Sequence, residues 1–171
     1  MIIDRDLKSA LLEDTYIQEL IDEHNENKRR DRHVSLDDEL LKDKAHRDRE
    51  NQLVKEKRIQ ESEMIIQIGN MDDSVDDETK KQILKDIIDD LNQEEGFVIT
   101  QAVIHMDEET PHTHIDFVTC IEKEQQRGIN CTFSLTEYYR SVLPEETIEQ
   151  LDEQYEGLYA DKKKNEEIFK A

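Results

Sequence analysis

The spacing of apolar residues predicts helices in three parts of the chain, at about residues 4–24, 75–93 and 145–168. In each part apolar side chains recur every three or four positions, which is the period of one helix face. These positions are Leu7, Leu11, Ile17, Leu20 and Ile21, then Val75, Ile83, Leu84, Ile87, Ile88 and Leu91, then Ile148, Leu151, Tyr155, Leu158 and Tyr159. We expect each helix to bury this face.

Short runs rich in β-branched and other apolar residues predict strands around residues 64–69, 97–105 and 112–119. With the helix at 75–93 they follow one another in the order strand, helix, strand, strand. This order predicts an α+β fold with a mainly antiparallel sheet, in which all three strands are adjacent and the last two are central. The other helices are expected to pack on the sheet or to extend away from it.

The length of 171 residues and the scarcity of Gly and Pro, 4 and 2 residues, predict one compact domain without a flexible linker. Its expected parts are a charged helical N-terminal segment (1–60), an α/β core (61–143) and an acidic C-terminal helix (144–171). The chain has no secretory signal and no apolar stretch of membrane-spanning length, so a cytoplasmic protein is expected. Cys120 and Cys131 are expected to be a reduced pair, although a disulfide between them would close a loop.

A ten-residue segment between the last two predicted strands, His105-Met-Asp-Glu-Glu-Thr-Pro-His-Thr-His114, gathers three histidines. The turn at Pro111 folds one strand back on the other. Because His112 and His114 alternate with a threonine, both imidazoles lie on one sheet face, where His105 can meet them. Three neutral imidazoles with open positions left over suit a divalent metal that must also contact a phosphate. The alternative is three histidines clustered in a polar hairpin.

The pattern His-x-Asp-Glu-x-x-Pro-His-x-His in this segment resembles the metal motif of the Mob/Pre (MOBV) plasmid mobilisation and recombination relaxases, which belong to the HUH endonuclease superfamily. The resemblance covers about residues 60–145. It implies an HUH relaxase-like antiparallel sheet with flanking helices. It also implies that His105, His112 and His114 hold manganese or magnesium, which polarises the scissile phosphate of single-stranded DNA. Glu108, at the family's acidic position, would be a supporting ligand or would orient one histidine.

The same family has an N-terminal His-Asn-acidic motif that provides the nucleophile, and His24-Asn25-Glu26 is similar to it. The resemblance implies that His24 attacks the phosphate. The chain departs from the motif at Asn27, where the family usually has Arg, and a helix is expected where the family has a strand. Alternatively, His24 sits in the last turn of a helix and interacts with the helix dipole. A tyrosine nucleophile from the pair Tyr138-Tyr139 is a further candidate, although packing is the more common role for such residues.

The formal net charge of −21 conflicts with binding to nucleic acid, which normally requires lysine and arginine. The charge is uneven, however, because residues 28–58 hold 11 basic and 8 acidic side chains. This segment is therefore a candidate for gripping single-stranded DNA or RNA, and the alternative is a long solvated helix with paired charges. The candidate nucleic-acid-binding residues are Arg29, Arg30, Arg32, Arg47 and Arg49.

The remaining acidic charge suggests a second function class. The acidic face of the C-terminal helix includes Glu145, Glu146, Glu149 and Glu153. Such a row usually keeps a protein in solution. It also fits a relaxase-derived inhibitor, such as a phage or plasmid anti-CRISPR protein, whose carboxylates mimic phosphate toward a basic nucleic-acid-binding partner such as a CRISPR effector. The intact histidine motif favours the metal-dependent nuclease, because a mimic has no need of three ligands.

Overall fold

The computed structural model describes residues 2–26, 28–37, 43–47, 53–57, 59–69, 75–108, 110–125 and 128–154. The chain forms two compact units, residues 1–135 and 136–171, and each is described by itself. The described strands are β1 (Ile3–Asp4), β2 (Asp43–Arg47), β3 (Leu53–Lys57), β4 (Ser62–Gln67), β5 (Phe97–His105), β6 (His112–Thr119), β7 (Ile121–Glu122) and β8 (Cys131–Thr132).

A four-stranded antiparallel sheet in the order β1-β5-β6-β4 is the centre of the first unit. The predicted α+β fold is therefore confirmed, and β5 and β6 lie in the middle of the sheet as expected. β4 pairs with β6 from Ser62↔Phe117 to Gln67↔His112, so the three predicted strands are adjacent. β7 and β8 form a separate two-stranded ribbon.

The structure contains helices α1 (Leu7–Glu13), α2 (Thr15–Glu26), α3 (Asp77–Leu91) and α4 (Leu135–Val142). The prediction of one helix over residues 4–24 was wrong, because Asp14 divides it. Asp14 has an extended backbone, with φ −75° and ψ 117°, and its carboxylate accepts a hydrogen bond from Ile17 N at 2.9 Å. An aspartate in this arrangement caps the helix that follows it. Before α1, Ile3 and Asp4 pair with β5 as a short strand.

The helix expected at 75–93 is confirmed as α3, which begins after the N-cap Asp76. Asp76 accepts a hydrogen bond from Thr79 N at 3.0 Å. The bond satisfies one of the amide groups that a helix start leaves without a partner. Two members of the predicted apolar face, Leu84 and Ile88, are fully buried, whereas Val75 and Ile83 are exposed.

The charged segment at residues 28–58 contains strands, and the alternative of a long helix was wrong. β2 and β3 pair in an antiparallel ribbon, from Asp43↔Lys57 to Arg47↔Leu53. A helix in this segment would have too few apolar residues to bury a face, whereas the ribbon satisfies backbone groups by pairing. A short 3-10 helix, Arg30–Arg32, precedes the ribbon.

An apolar core packs α1 and α2 against one end of the sheet. Leu11 and Ile17 from the helices are buried together with Val98 of β5 and Val118 of β6. The other members of this core are Ala10, Leu20, Ile21, Leu36, Ile59, Cys120, Ile129 and Cys131. Both cysteines are therefore buried thiols. On the opposite face of β6, Ile115 and Phe117 are also buried, so the sheet has apolar contacts on both sides.

The described part of the second unit consists of α4 and a helical stretch at 145–154. The Arg140 guanidinium donates to both carboxylate oxygens of Asp152, at 2.7 and 2.9 Å. This bidentate pair ties α4 to the following helix. The remainder of the helix expected up to residue 168, from residue 155 onward, lies outside the described residues.

Candidate metal site

His105, His112 and His114 form one cluster on the β5–β6 hairpin. His105 and His112 are direct cross-strand partners, and His114 lies two positions further along β6. Their ring centroids are 5.1–5.4 Å apart, and one nitrogen from each ring lies within 4.8 Å of the others. All three side chains are half-buried, so the cluster is anchored by the sheet and still accessible from solvent.

Two hydrogen bonds fix which ring nitrogen faces the centre of the cluster. Nδ1 of His112 lies 3.0 Å from the carbonyl oxygen of Thr110, and Nδ1 of His114 lies 2.7 Å from Oε1 of Glu63. Since a carbonyl and a carboxylate only accept, each Nδ1 carries the proton and donates it. In the neutral ring, Nε2 is then the nitrogen without a proton, which can bind a metal.

Glu63 was not identified as a site residue from the sequence. It lies on β4, 51 positions before His114, and reaches it because β4 pairs with β6. An acidic residue in the strand beside a metal hairpin was the available signal. Such a carboxylate at a metal-binding histidine orients the ring and strengthens it as a ligand.

Glu108 lies beside His112, whereas Glu63 contacts His114. Its Oε2 is 4.0 Å from Nε2 of His112, and the carboxylate is 63% exposed. Nδ1 of His112 is already occupied by Thr110, so Glu108 faces the atom that would bind the ion. Of the two roles expected for Glu108, this position fits a supporting ligand better than a residue that orients the ring.

A surface cleft of about 600 Å³ opens beside the cluster. It is lined by Ile65, Gln67, Asp107, Glu108, Thr110, His112 and His114. These described lining residues include carboxylates and no lysine or arginine. Nearby on the same sheet face, burial raises the pKa of Asp116, and the charges of Glu63 and Glu61 raise it further. The cleft is therefore electronegative, which favours a cation and opposes a bare phosphate.

The three histidines fit a divalent transition metal. An ion about 2.1 Å from each imidazole nitrogen holds two such nitrogens no more than about 4.2 Å apart. The observed spread of up to 4.8 Å therefore requires the rings to move together by roughly an ångström. Imidazole nitrogens suit divalent transition metals, the neighbouring carboxylates can add oxygen ligands, and three protein ligands leave coordination positions open.

The structure does not bring His24 into this cluster. His24 lies in the last turn of α2, as its alternative interpretation expected, and it is not among the described residues that line the cleft. Its neighbour Asn25 has a structural role, because its side-chain amide exchanges two hydrogen bonds of 2.9 Å with the backbone of Val34. Tyr138 and Tyr139 lie on α4 in the second unit, where Tyr138 is buried.

Of the predicted nucleic-acid-binding arginines, Arg29, Arg30 and Arg32 are not among the described residues that line the histidine cleft. Arg29, Arg30 and Arg32 are exposed at the 3-10 helix, and Arg47 ends β2. Arg49 lies outside the described residues. The acidic row at Glu145, Glu146, Glu149 and Glu153 is exposed on the helical stretch 145–154. Among the described helices, none is long and apolar enough to cross a membrane.

Comparison with known families adds an independent finding. Residues 5–165 match the model of the plasmid recombination enzyme family Mob_Pre. Comparison with curated proteins and with solved structures gave no significant match. The family match includes the histidine hairpin and extends well beyond it in both directions, to almost the whole chain. The resemblance noted in the motif is thereby confirmed, and the chain belongs to the Mob/Pre family of plasmid recombination enzymes.

Proposed function

We propose that this protein is a relaxase-like, metal-dependent nuclease that nicks or trims single-stranded nucleic acid during plasmid mobilisation or recombination. The observation that carries the proposal is the cluster of three imidazoles whose ring nitrogens lie within 4.8 Å of one another on an accessible sheet face. The tautomers of His112 and His114, set by Thr110 and Glu63, leave Nε2 of both rings ready to bind an ion.

The charge around the cleft supports a requirement for the metal. A bound manganese or magnesium ion would polarise a phosphate oxygen and offset negative charge at the cleft. His105, His112 and His114 hold the ion in this proposal, and Glu108, whose Oε2 lies 4.0 Å from Nε2 of His112, is a supporting ligand. The described lining residues of the cleft include Asp107 and Glu108 and no lysine or arginine. Without a bound metal, the cleft would therefore repel the scissile phosphate.

His24 is the proposed nucleophile on the strength of its motif. Its imidazole nitrogen would bond to phosphorus as the bond from phosphorus to the leaving sugar oxygen breaks, which joins the protein covalently to the cut strand. A water nucleophile would instead leave no covalent product. The exposed arginines at 29, 30 and 32 are the proposed contacts to the nucleic-acid backbone.

The test is a cleavage assay on supercoiled plasmid and on single-stranded DNA and RNA oligonucleotides, with manganese, with magnesium and with EDTA. Cleavage should require the ion and should be lost in His105→Ala. His24→Phe should abolish any covalent protein–DNA product. His33→Ala is the matched control, because His33 is exposed and contacts only the Lys28 carbonyl in its described hydrogen bond.

Calorimetry with manganese tests the binding step separately from cleavage. The His112→Ala/His114→Ala protein should lose at least about 100-fold in affinity, because two of three ligands are removed. Manganese binding by this variant at the strength of the parent would remove the basis of the proposal.

The alternative function, an acidic inhibitor of a basic nucleic-acid-binding protein, makes the opposite prediction. The exposed glutamates at 145, 146, 149 and 153 favour it. If it is right, reversing these four residues to lysine should abolish function with a strong dependence on salt, while the histidine variants remain active. That combination of results would replace the nuclease as the function of this chain.

A further inference from the structure

Strand β5 contains a one-residue irregularity halfway along its length. Its first part pairs with β6 as Val98↔Val118 and Ile99↔Phe117, whereas its second part begins at Gln101↔Asp116. Thr100 is therefore an extra residue on β5 with no counterpart on β6. This is the arrangement of a β-bulge, which shifts the side-chain alternation of one strand by a single position.

The bulge decides which way His105 points. Side chains alternate along a regular strand, so if all the residues from Ile99 to His105 alternated without a bulge, His105 would lie on the same face as Ile99, opposite the face of His112. With the bulge, Ile99 pairs with the buried Phe117 while His105 pairs with His112. Both pairings are kept only while one extra residue remains between Ile99 and His105.

The sequence of β5 does not hold the bulge in place. Residues 98–104 read Val-Ile-Thr-Gln-Ala-Val-Ile, so either alternation of this run offers apolar side chains to a core. An extra residue in such a run can move along the strand at little cost in burial. A bulge that was lost, or that moved past His105 into the hairpin, would rotate His105 away from its partners.

Arg5 supplies donors to both carbonyl groups at the irregularity. Its backbone N–H donates to Thr100 O at 3.0 Å, and its Nε donates to Ile99 O at 2.8 Å. On the other side, the Thr100 hydroxyl donates to Asp116 O at 3.1 Å. Thr100 is 2% exposed. Buried carbonyl groups that leave the regular ladder need donors of this kind.

We infer that Arg5 is a positioning residue for the metal site, because it fixes the β5 bulge at Thr100 and thereby holds His105 on the face of His112 and His114. Arg5 acts through the strand and does not line the histidine cleft. The expected effect of Arg5 on metal affinity rests on the proposed metal-binding function. The orientation of His105, in contrast, can be measured without any metal.

The experiment compares Arg5→Ala with the parent by two measurements. In the metal-free protein, nuclear Overhauser contacts between the rings of His105 and His112, whose centroids are 5.1 Å apart, should weaken or disappear. By calorimetry the affinity for manganese should fall on the order of tenfold, as for other residues that orient metal ligands. Lys8→Ala is the matched control, because it also removes one cation and one exposed carboxylate contact, to Asp37, and should change neither measurement.

Deletion of Thr100 separates positioning from general stability. Without this residue, Ile99 and Gln101 become neighbours and alternate regularly against Phe117 and Asp116, so His105 keeps its face without a bulge. Arg5→Ala should therefore leave manganese affinity unchanged in the deletion background. If Arg5 only stabilises the fold, the substitution should weaken manganese binding as much in this background as in the parent, and that result would overturn the inference.

Two further outcomes are decisive. Retention of both the ring contacts and the affinity in Arg5→Ala would also overturn the inference. If the parent binds no manganese while the ring contacts change as expected, the proposed function fails and the positioning role of Arg5 stands. If Arg5→Ala does not fold, Arg5→Lys, which keeps the charge and lacks Nε, provides the same comparison.

Discussion

One face of the sheet is covered at one end and open at the other, although the same two strands form both ends. At the covered end Val98 and Val118 are buried beneath residues of α1 and α2. At the open end His105 and His112 are half-buried beside a cleft. The same pair of strands thus contributes core residues where the helices cover it and candidate metal ligands where they do not. Substitutions at the covered end should therefore change stability, and those at the open end should change metal affinity.

Leu11→Ala should have the largest effect on stability, at about 2–5 kcal/mol, because it leaves a cavity in the covered end. Leu11 is fully buried in the core, whereas its neighbour Leu12 is 47% exposed. Leu12→Ala is therefore the matched control and should cost less than about 0.5 kcal/mol. Urea denaturation measures both. A loss of manganese affinity in folded Leu11→Ala protein would mean that the two ends of the sheet are coupled. It would contradict the expectation that the covered end affects only stability.

Gly96→Ala should destabilise the covered end by about 2–4 kcal/mol. Gly96 has φ +73°, and an added Cβ would lie 2.0 Å from the carbonyl oxygen of Cys120. Gly69→Ala is the control, because Gly69 has a similar φ of 75° and lies in a different place, two residues after the end of β4. Its cost should be only the backbone strain, about 1 kcal/mol. Equal losses of stability for the two variants would exclude the close approach as a cause.

Glu63→Ala tests the open end and should weaken manganese binding by about 10- to 100-fold. The reason is the loss of the 2.7 Å hydrogen bond that orients His114. Glu61→Ala removes a nearby exposed carboxylate and serves as the control. Calorimetry gives the affinity, and thermal unfolding of the metal-free protein should show little change because the Glu63 side chain is 57% exposed. Equal affinities of the two variants would exclude Glu63 as an orienting residue.

Tyr16→Phe should have the smallest effect, about 1 kcal/mol near neutral pH, because it removes the hydrogen bond that the Tyr16 hydroxyl accepts from Glu122 N at 3.0 Å. Burial raises the pKa of Tyr16 above its usual value of 10.0. A raised pKa means that the contribution of Tyr16 is fully present below pH 10.0 and is lost as pH rises through the folded-state value. The difference in the free energy of unfolding between the parent and Tyr16→Phe should therefore shrink in alkali. Urea denaturation at neutral pH and above pH 10.0 measures this difference. A constant difference across this range would contradict the prediction.

The strands and the histidine cluster could be predicted from the sequence because both depend on local patterns. The spacing of His112 and His114 places both on one face of any strand, and Pro111 between the two apolar runs indicates the hairpin. Helix α3 could be predicted in the same way, because its apolar residues recur every three or four positions. The division between α1 and α2 was missed because Asp14 is a single capping residue within a continuous apolar stripe.

Two features of the site depend on non-local contacts and could not be read from a pattern. Glu63 approaches His114 only after β4 has paired with β6 in one particular register. The bulge at Thr100 is hidden, because residues 98–104 are mostly apolar in either alternation. The ribbon of β2 and β3 was missed because mixed charges dominate its sequence and leave no regular period.

The place of β6 in the sheet also affects how the protein is made. β4 and β5 each pair with β6, and neither pairs with the other in the described sheet. β6 is synthesised after both of them, so a nascent chain that ends before His112 lacks the strand that joins them. The sheet core therefore closes only when the last two ligands, His112 and His114, have left the ribosome. We expect nascent chains that end before His112 to lack an assembled histidine cluster, so that metal binding begins only after β6 has been made.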